Sequence, residues 1–148
     1  MTSDAALVEL LPHRAPMRLV EELRDVAPGE FARGRRVAKP EDWYFQGHFP
    51  GEPIVPAVIL VEMIAQVGGL AAGAPEDPTT APATPRLRVA GLGPFRFKEA
   101  VRPGARLIIE ARVLGRFGGL VKVEGHVHAD GVLVADGSVT LGTAGPLA

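Results

Sequence analysis

Two side chains of this sequence could carry acid–base chemistry, a histidine in a loop and a carboxylate in an apolar run. His48 lies within residues 46–56, a stretch so rich in glycine and proline that it predicts a rigid loop. Glu62 is the one carboxylate among the apolar residues 57–70 that follow. Imidazole is the commonest general base near neutral pH, and a carboxyl withdrawn from water is a suitable general acid. His48 and Glu62 are therefore the candidate base and acid.

The apolar run predicts a buried helix. Pro56 suits the first turn of a helix, where its missing N–H is not needed. Residues 57–67 contain only two polar side chains, Glu62 and Gln66, so the element is apolar on almost every side and belongs in a core. The run is too short and too interrupted for a membrane span. Glu62 and Gln66 are four residues apart and share a helix face.

Each candidate also has an ordinary interpretation. Glu62 could lie on the one solvated edge of the helix instead of acting as a buried acid. A loop histidine beside a phenylalanine is often a surface or packing residue. For His48 the functional interpretation rests on position, because the loop precedes a helix N-terminus whose free N–H groups can stabilise a developing negative charge.

Other polar and aromatic clusters favour structural interpretations. His13, in the proline-rich connector before the first strand, is expected to pack or cap locally and not to catalyse. His126 and His128 share a strand face but lack a third metal ligand at a recognisable spacing. The basic residues 33–36 are expected to be solvated, with a contact to a partner or ligand as the alternative. The aromatic residues 43–45 are expected in core or dimer packing, with the wall of a binding site as the alternative.

The order of elements predicts an α+β fold in which an antiparallel sheet wraps around one long buried helix. Residues 1–7 are expected to be a loose N-terminus and residues 73–86 an exposed, proline-rich loop. An open sheet leaves an edge, and pairing of edges between two chains favours a dimer. The predicted strands flank the helix on both sides, at residues 17–26, 30–37, 87–97, 107–113, 120–128 and 132–141.

The composition limits the remaining functions. With 148 residues and a net charge of −1, the chain fits a single domain, 1–148, and has no polybasic run of the kind that binds nucleic acid. There is no cysteine, which excludes disulfides and thiolate metal sites. The N-terminal residues lack the features of a signal peptide, so we expect a cytoplasmic protein.

The motif around His48 is long and specific. Gly47-His48-Phe49-Pro50-Gly51-x-Pro53-x-x-Pro56, continued by Val58, Glu62 and Gln66, closely resembles the signature of bacterial 3-hydroxyacyl-[acyl-carrier-protein] dehydratases, single-domain hotdog-fold enzymes of fatty-acid synthesis. Residues 11–16 resemble the N-terminal signature of that family, and residues 90–98 followed by 101–104 resemble its strand and turn after the helix. The resemblance extends over residues 8–142.

The resemblance implies a role for each residue of the motif. His48 is the base that removes the proton alpha to the thioester carbonyl. Glu62 of the partner subunit is the acid that protonates the departing β-hydroxyl, and the product is a trans-2-enoyl thioester. The N–H of Ala57 polarises the thioester carbonyl, Gln66 supports Glu62, and Phe49 belongs with the substrate-binding residues.

The resemblance also implies partners. The substrate would be a thioester carried by acyl carrier protein or coenzyme A, whose phosphopantetheine belongs to the substrate. Proton transfers and an oxyanion site suffice for loss of water, so no metal or redox cofactor is expected. A homodimer is expected, and a trimer of dimers is compatible with it.

The chain departs from the family pattern at the helix start, where Ala57 replaces the usual glycine. Two rival functions are left open, and only the second of them depends on Ala57. One is an acyl thioesterase of the same fold, in which Glu62 would activate water. The other is a non-catalytic subunit that binds acyl thioesters, with Ala57 as a sign of lost turnover. Fold alone does not separate these functions.

Overall fold

The computed structural model describes residues 8–73 and 87–143. Within these residues the chain forms six strands and one long helix, and a short 3-10 turn lies between the second strand and the helix. In chain order these are β1 (Glu22–Ala27), β2 (Phe31–Val37), the 3-10 turn (Trp43–Phe45), α1 (Ala57–Gly73), β3 (Leu87–Phe97), β4 (Arg106–Phe117), β5 (Leu120–Ala129) and β6 (Val132–Thr143).

The strands form one antiparallel sheet in the order β1-β2-β4-β5-β6-β3. Each strand of the sheet contacts α1, which lies across the concave face. The predicted α+β architecture, a sheet wrapped around one long buried helix, is confirmed. The order leaves β1 and β3 as the edges of the sheet within the described residues.

Glycines at the interface let the helix pack closely against strand β5, because they leave no side chain between the two elements. A Cβ added at Gly68 would lie 2.8 Å from Cγ2 of Val123, and one added at Gly125 would collide with the side chain of Ile64. The helix is buried over most of its length, whereas Ala57 at its start is exposed. The core position predicted for the helix is therefore correct, and its first turn is the part that reaches solvent.

The first strand is shorter than the sequence predicts. It begins at Glu22, and residues 17–21 form a connector instead. The physical reason is that the backbone of this connector bonds to a side chain of α1: the N–H of Leu19 donates to Gln66 Oε1 over 3.0 Å, and Gln66 Nε2 donates to the carbonyl of Met17 over 2.7 Å. These groups are therefore not available to a neighbouring strand.

A row of ionisable side chains crosses the outer face of the sheet. Arg33 pairs with Asp25 at 2.7 Å and with Glu110 of β4 at 3.5 Å. At the other end of the row, Arg96 pairs with Asp136 at 3.1 Å. The inner neighbours on β5, Gly125 and Val127, are buried against the core. His126 therefore faces outward, as expected. The row consists of Asp25, Arg33, Glu110, His126, Asp136 and Arg96, one residue from each strand in register.

The turns follow the glycine signals closely. Asp130 and Gly131 join β5 to β6 with φ of 49° and 83°, as in a tight hairpin turn. Strand β4 runs to Phe117, so the predicted turn at residues 115–119 is smaller than expected. Gly73 is the last residue of α1, and the rest of the predicted loop, like residues 1–7, lies outside the described residues. No helix in the described part of the chain is long and apolar enough to cross a membrane.

Candidate active site

The loop that carries His48 is closed by its own backbone. Phe49 and Glu52 exchange two N–H···O=C bonds of 3.0 Å, and the N–H of Ile54 donates to the carbonyl of His48 over 2.9 Å. Gly51 adopts a φ of 76°, which L side chains rarely reach, so glycine is required at that position. The predicted rigid loop is thus built mainly from short-range backbone bonds, and the N–H of Val55 adds one bond to the distant carbonyl of Val101 over 2.8 Å.

The same loop orients the imidazole. Nδ1 of His48 lies 3.1 Å from the carbonyl oxygen of Ile54. A carbonyl can only accept, so Nδ1 must carry the proton, and Nε2 of the neutral ring is then an acceptor. Phe49 stacks on the ring, with centroids 4.1 Å apart and planes inclined by 26°, and is itself exposed. His48 is therefore held with Nδ1 toward the loop backbone, which leaves Nε2 of the neutral ring as a hydrogen-bond acceptor.

The start of α1 provides an unpaired backbone donor. Ile59 and Leu60 direct their N–H groups to the carbonyl of Pro56. For the N–H of Ala57 the structure shows no acceptor among the described residues. The Ala57 side chain is exposed, as is that of Val58. A free N–H at a helix N-terminus is suited to an anion or a polarised carbonyl.

Glu62 lies one helical turn from Gln66 and is neither fully buried nor fully solvated. Its side chain is 27% exposed, and Gln66 Nε2 lies 3.4 Å from its Oε1. Gln66 is 1% exposed and is locked by its bonds to Met17 and Leu19. Glu62 is therefore neither fully buried nor on a fully solvated edge. Its carboxylate lies at the edge of the core, beside the fixed amide donor of Gln66.

A residue that sequence reasoning set aside also reaches Glu62. His13 Nε2 lies 3.7 Å from Oε1 of Glu62, and the His13 ring is partly buried. The expectation of a purely local packing role is therefore incomplete, since the ring contacts an acidic side chain of α1. A signal was present in the sequence, because His13 belongs to the segment 11–16 that resembles a family signature.

A polar cluster supports the 3-10 turn that precedes the His48 loop. Asp42 Oδ2 accepts from the Tyr44 hydroxyl over 2.7 Å and pairs with Arg36 at 3.0 Å. Arg36 also donates to the carbonyl of Leu19 over 3.2 Å. The N–H of His48 donates to the last carbonyl of this turn, that of Phe45, over 3.1 Å. Arg36 is therefore not a solvated residue, in contrast to the expectation for the basic stretch.

The electrostatics of this cluster follow from its burial. Burial alone would raise the pKa of the Asp42 carboxyl, but the hydrogen bonds from Tyr44 and Arg36 and the charge of Arg36 outweigh it and hold that pKa below its ordinary value. Burial and the bond to Asp42 raise the pKa of the Tyr44 hydroxyl well above its ordinary value, although Arg36 opposes this. The cluster is therefore fixed as a carboxylate, a guanidinium and a neutral phenol at neutral pH.

The aromatic stretch divides between core and surface. Tyr44 and Phe45 are buried, which agrees with core packing. Trp43 is exposed along part of its ring, and its Nε1–H donates to the carbonyl of Pro16 over 2.9 Å. Trp43 therefore ties the connector before β1 to the turn before the loop.

Within one chain the acid and the base remain in separate clusters. Glu62, Gln66 and His13 come together at the middle of α1. His48 belongs to the loop before α1, and no contact between described residues joins its ring to Glu62. Among those residues there is also no group of three side chains that could hold a metal ion.

Comparison with known proteins places this geometry in a family. A family model described as a FabA-like domain matches residues 11–138. The chain belongs to the FabA-like family. The 3-hydroxyacyl-[acyl-carrier-protein] dehydratase FabZ of Caldicellulosiruptor saccharolyticus is 35% identical over 139 residues, which cover 94% of this chain and 96% of that relative. The corresponding dehydratase of Nitratidesulfovibrio vulgaris is 35% identical over 135 residues, or 90% and 86% of the two chains.

Solved structures support the fold. The dehydratase heterocomplex ApeI:P from Xenorhabdus doucetiae superimposes with a TM-score of 0.73 over 95% of this chain and 91% of that chain. Its sequence identity is 19%, so this likeness concerns the fold alone. The resemblance predicted from the motif and the hotdog fold that it implied are both confirmed.

Proposed function

We propose that this FabA-like protein dehydrates 3-hydroxyacyl thioesters to trans-2-enoyl thioesters, in fatty-acid biosynthesis or a related lipid or polyketide route. The observation that carries the proposal is the orientation of His48, whose Nδ1 faces the carbonyl of Ile54 and leaves Nε2 as a base. Two relatives that match this chain over most of their own length are dehydratases by name.

The reaction needs one base, one acid and one oxyanion donor. Nε2 of His48 removes a proton from the carbon alpha to the thioester carbonyl. The N–H of Ala57 stabilises the negative charge that develops on the carbonyl oxygen. The electron pair then forms the α–β double bond, and the β-hydroxyl leaves as water with the proton that Glu62 donates. The alanine methyl group does not remove the N–H, so the oxyanion role of this position is retained.

The two clusters act together when a second copy of the chain supplies the acid. His48 of one subunit and Glu62 of the partner subunit would then face one substrate. The exposed edge strand β3 supports this arrangement, because it carries three large apolar residues that a single chain leaves in solvent, Val89, Leu92 and Phe97. Pairing of two such edges would bury them and continue the sheet across the dimer. A trimer of such dimers remains compatible with this interface.

The substrate would be delivered by a carrier in the cytoplasm. The acyl group would be attached through the phosphopantetheine of acyl carrier protein, with coenzyme A thioesters as the small-molecule alternative. All the chemistry lies in proton transfer, so the proposal includes no metal and no redox cofactor.

A dehydration assay on the purified protein tests this function. Both 3-hydroxyacyl carrier protein and 3-hydroxyacyl coenzyme A serve as substrates, alongside His48→Ala and Glu62→Gln. Each single variant is expected to lose about a thousandfold in kcat, the range expected for removal of a general acid or base. Formation of free thiol without enoyl product would identify a thioesterase, and binding without any turnover would identify a binding subunit.

A further inference from the structure

The ring of His13 occupies a position that a packing role does not explain. It comes from the connector before β1, and its Nε2 lies 3.7 Å from Oε1 of Glu62. Gln66 Nε2 approaches the same oxygen to 3.4 Å from the other side of the helical turn. Two nitrogens from different elements thus converge on one oxygen of the side chain assigned as the acid.

The second nitrogen of the ring decides which proton His13 carries. Nδ1 is buried and has no hydrogen-bond partner among the described residues. A buried N–H without an acceptor is rarer and more costly than a buried lone pair, so a proton on Nδ1 is disfavoured. The neutral ring therefore carries its proton on Nε2, the nitrogen that faces Glu62.

A proton on Nε2 of His13 suits Glu62 in its carboxylate form and not in its carboxylic acid form. Nε2–H of His13 and the amide of Gln66 are both donors, and both meet Oε1 of Glu62, where negative charge develops as the proton leaves. The separation of 3.7 Å exceeds an ordinary hydrogen bond, and such contacts often tighten when substrate binds. Gln66 cannot adjust, since Met17 and Leu19 hold its amide.

We propose that His13 is a positioning residue of the acid, which orients Glu62 and stabilises its carboxylate while the proton passes to the leaving hydroxyl. The proposal rests on the proposed dehydratase function. His13 does not touch the carbon from which the proton is abstracted, so it should affect the acid step and leave the base step alone.

Two assays separate those steps. Dehydration of a 3-hydroxyacyl thioester requires both His48 and Glu62. Exchange of the α-hydrogen of a saturated acyl thioester in D₂O, followed by mass spectrometry, requires only the base and the oxyanion donor. With His13→Leu we expect kcat for dehydration to fall about tenfold, less than for removal of a well-aligned oxyanion donor, with KM unchanged. The rate of α-hydrogen exchange should stay within about twofold of wild type, because His48 and Ala57 are untouched.

Conservative variants test the donor itself. The amide nitrogen of glutamine can occupy the place of Nε2, whereas that of asparagine is too short to reach it. His13→Gln should therefore recover most of the dehydration rate and His13→Asn should not. This pair also decides the proposal if His13→Leu fails to fold.

His126 offers a matched control. It lies 3.8 Å from Glu124 on the outer face of the sheet, a histidine–glutamate pair with almost the same separation. His126→Leu should change neither assay. Equal losses of dehydration and exchange in His13→Leu, or equal rates in the Gln and Asn variants, would overturn the proposal. A wild-type protein that exchanges the α-hydrogen but does not dehydrate would instead overturn the proposed function, and the positioning role with it.

Discussion

Two proline-rich connectors, each with one histidine, are stabilised in opposite ways. The loop at residues 46–56 is closed by its own backbone, through the paired bonds of Phe49 with Glu52 and the bond from Ile54 to His48. The connector at residues 12–21 is held by side chains from elsewhere. The loop is thus held mainly by bonds within itself, with one backbone bond from Val55 to the distant Val101, whereas the connector depends on several side chains that lie far along the chain.

The long-range hydrogen bonds of the connector also link the surroundings of Glu62 to those of His48. Gln66 bonds to the backbone at Met17 and Leu19, and Arg36 bonds to the carbonyl of Leu19. Arg36 in turn belongs to the cluster with Asp42, which supports the turn before His48. A disturbance of the connector should therefore reach both candidate side chains, Glu62 and His48, whereas a disturbance of the loop should have less effect outside it.

Removal of the amide at residue 66 should break the connector most severely. Gln66→Leu leaves a buried N–H at Leu19 and a buried carbonyl at Met17 without partners, each costing on the order of 1–3 kcal/mol. We expect the free energy of unfolding to fall by about 3 kcal/mol, measured by urea denaturation. Gln46→Leu, at an exposed position in the loop, is the control and should change it by less than about 0.5 kcal/mol. Equal losses in the two variants would contradict the contrast between the connectors.

The charge on Asp42 should make the stability of the fold depend on pH, because this carboxylate pairs with Arg36. The pKa of this carboxyl is lower in the folded protein than in the unfolded chain, so its contribution to stability is present above the ordinary value of about 3.9 and is lost as pH falls through the folded value. Asp42→Asn should destabilise by about 2 kcal/mol at pH 7, because a partly buried guanidinium loses its partner.

Thermal unfolding of wild type and Asp42→Asn between about pH 7 and pH 2 checks the sign. The difference in unfolding free energy should shrink as the pH is lowered. Asp25→Asn, which removes an exposed carboxylate from the outer charge row, should show a much smaller difference at neutral pH. A difference for Asp42→Asn that grows toward acid would show that the carboxylate does not stabilise the fold.

The smallest expected effect concerns the local encoding of the loop. Gly51 has a φ of 76° with no atom within 4 Å of an added Cβ, so Gly51→Ala should cost about 1 kcal/mol through backbone strain alone. Gly69 lies inside α1, also with open space around an added Cβ, so Gly69→Ala should instead stabilise by up to about 1 kcal/mol. Calorimetric melting of both variants checks the opposite signs, and a stabilised Gly51→Ala would show that the loop does not need its glycine.

The loop and the helix were predictable because their signals are local. Proline at 56, the apolar run after it and the glycines around His48 each constrain their own neighbourhood, and the hydrophobic alternation gave the later strands. The true start of β1 was not predictable, since residues 17–21 are apolar enough for a strand and the groups that bond their backbone, chiefly Gln66 and Arg36, lie elsewhere in the chain. The contact of His13 with Glu62 was not predictable either. The two residues are 49 positions apart, and no periodicity of the sequence relates them.

The roles of the candidate acid and base stay predictions. Residue types and position first indicated them, and the resemblance of the motif added their division between two subunits, which a single sequence pattern does not show. Pattern alone left Glu62 between a buried acid and a solvated edge, and the structure places it between the two. The division of His48 and Glu62 between two subunits is the central claim of this account.

Mixing two inactive variants tests that claim most directly. His48→Ala and Glu62→Gln are unfolded together at equal concentration, refolded and assayed for dehydration. If each site combines His48 of one subunit with Glu62 of the partner subunit, half of the dimers are mixed and each of these regains one intact site, so activity should recover to about a quarter of wild type. Recovery no greater than that of either variant refolded alone would contradict the account, because it would place acid and base in the same chain.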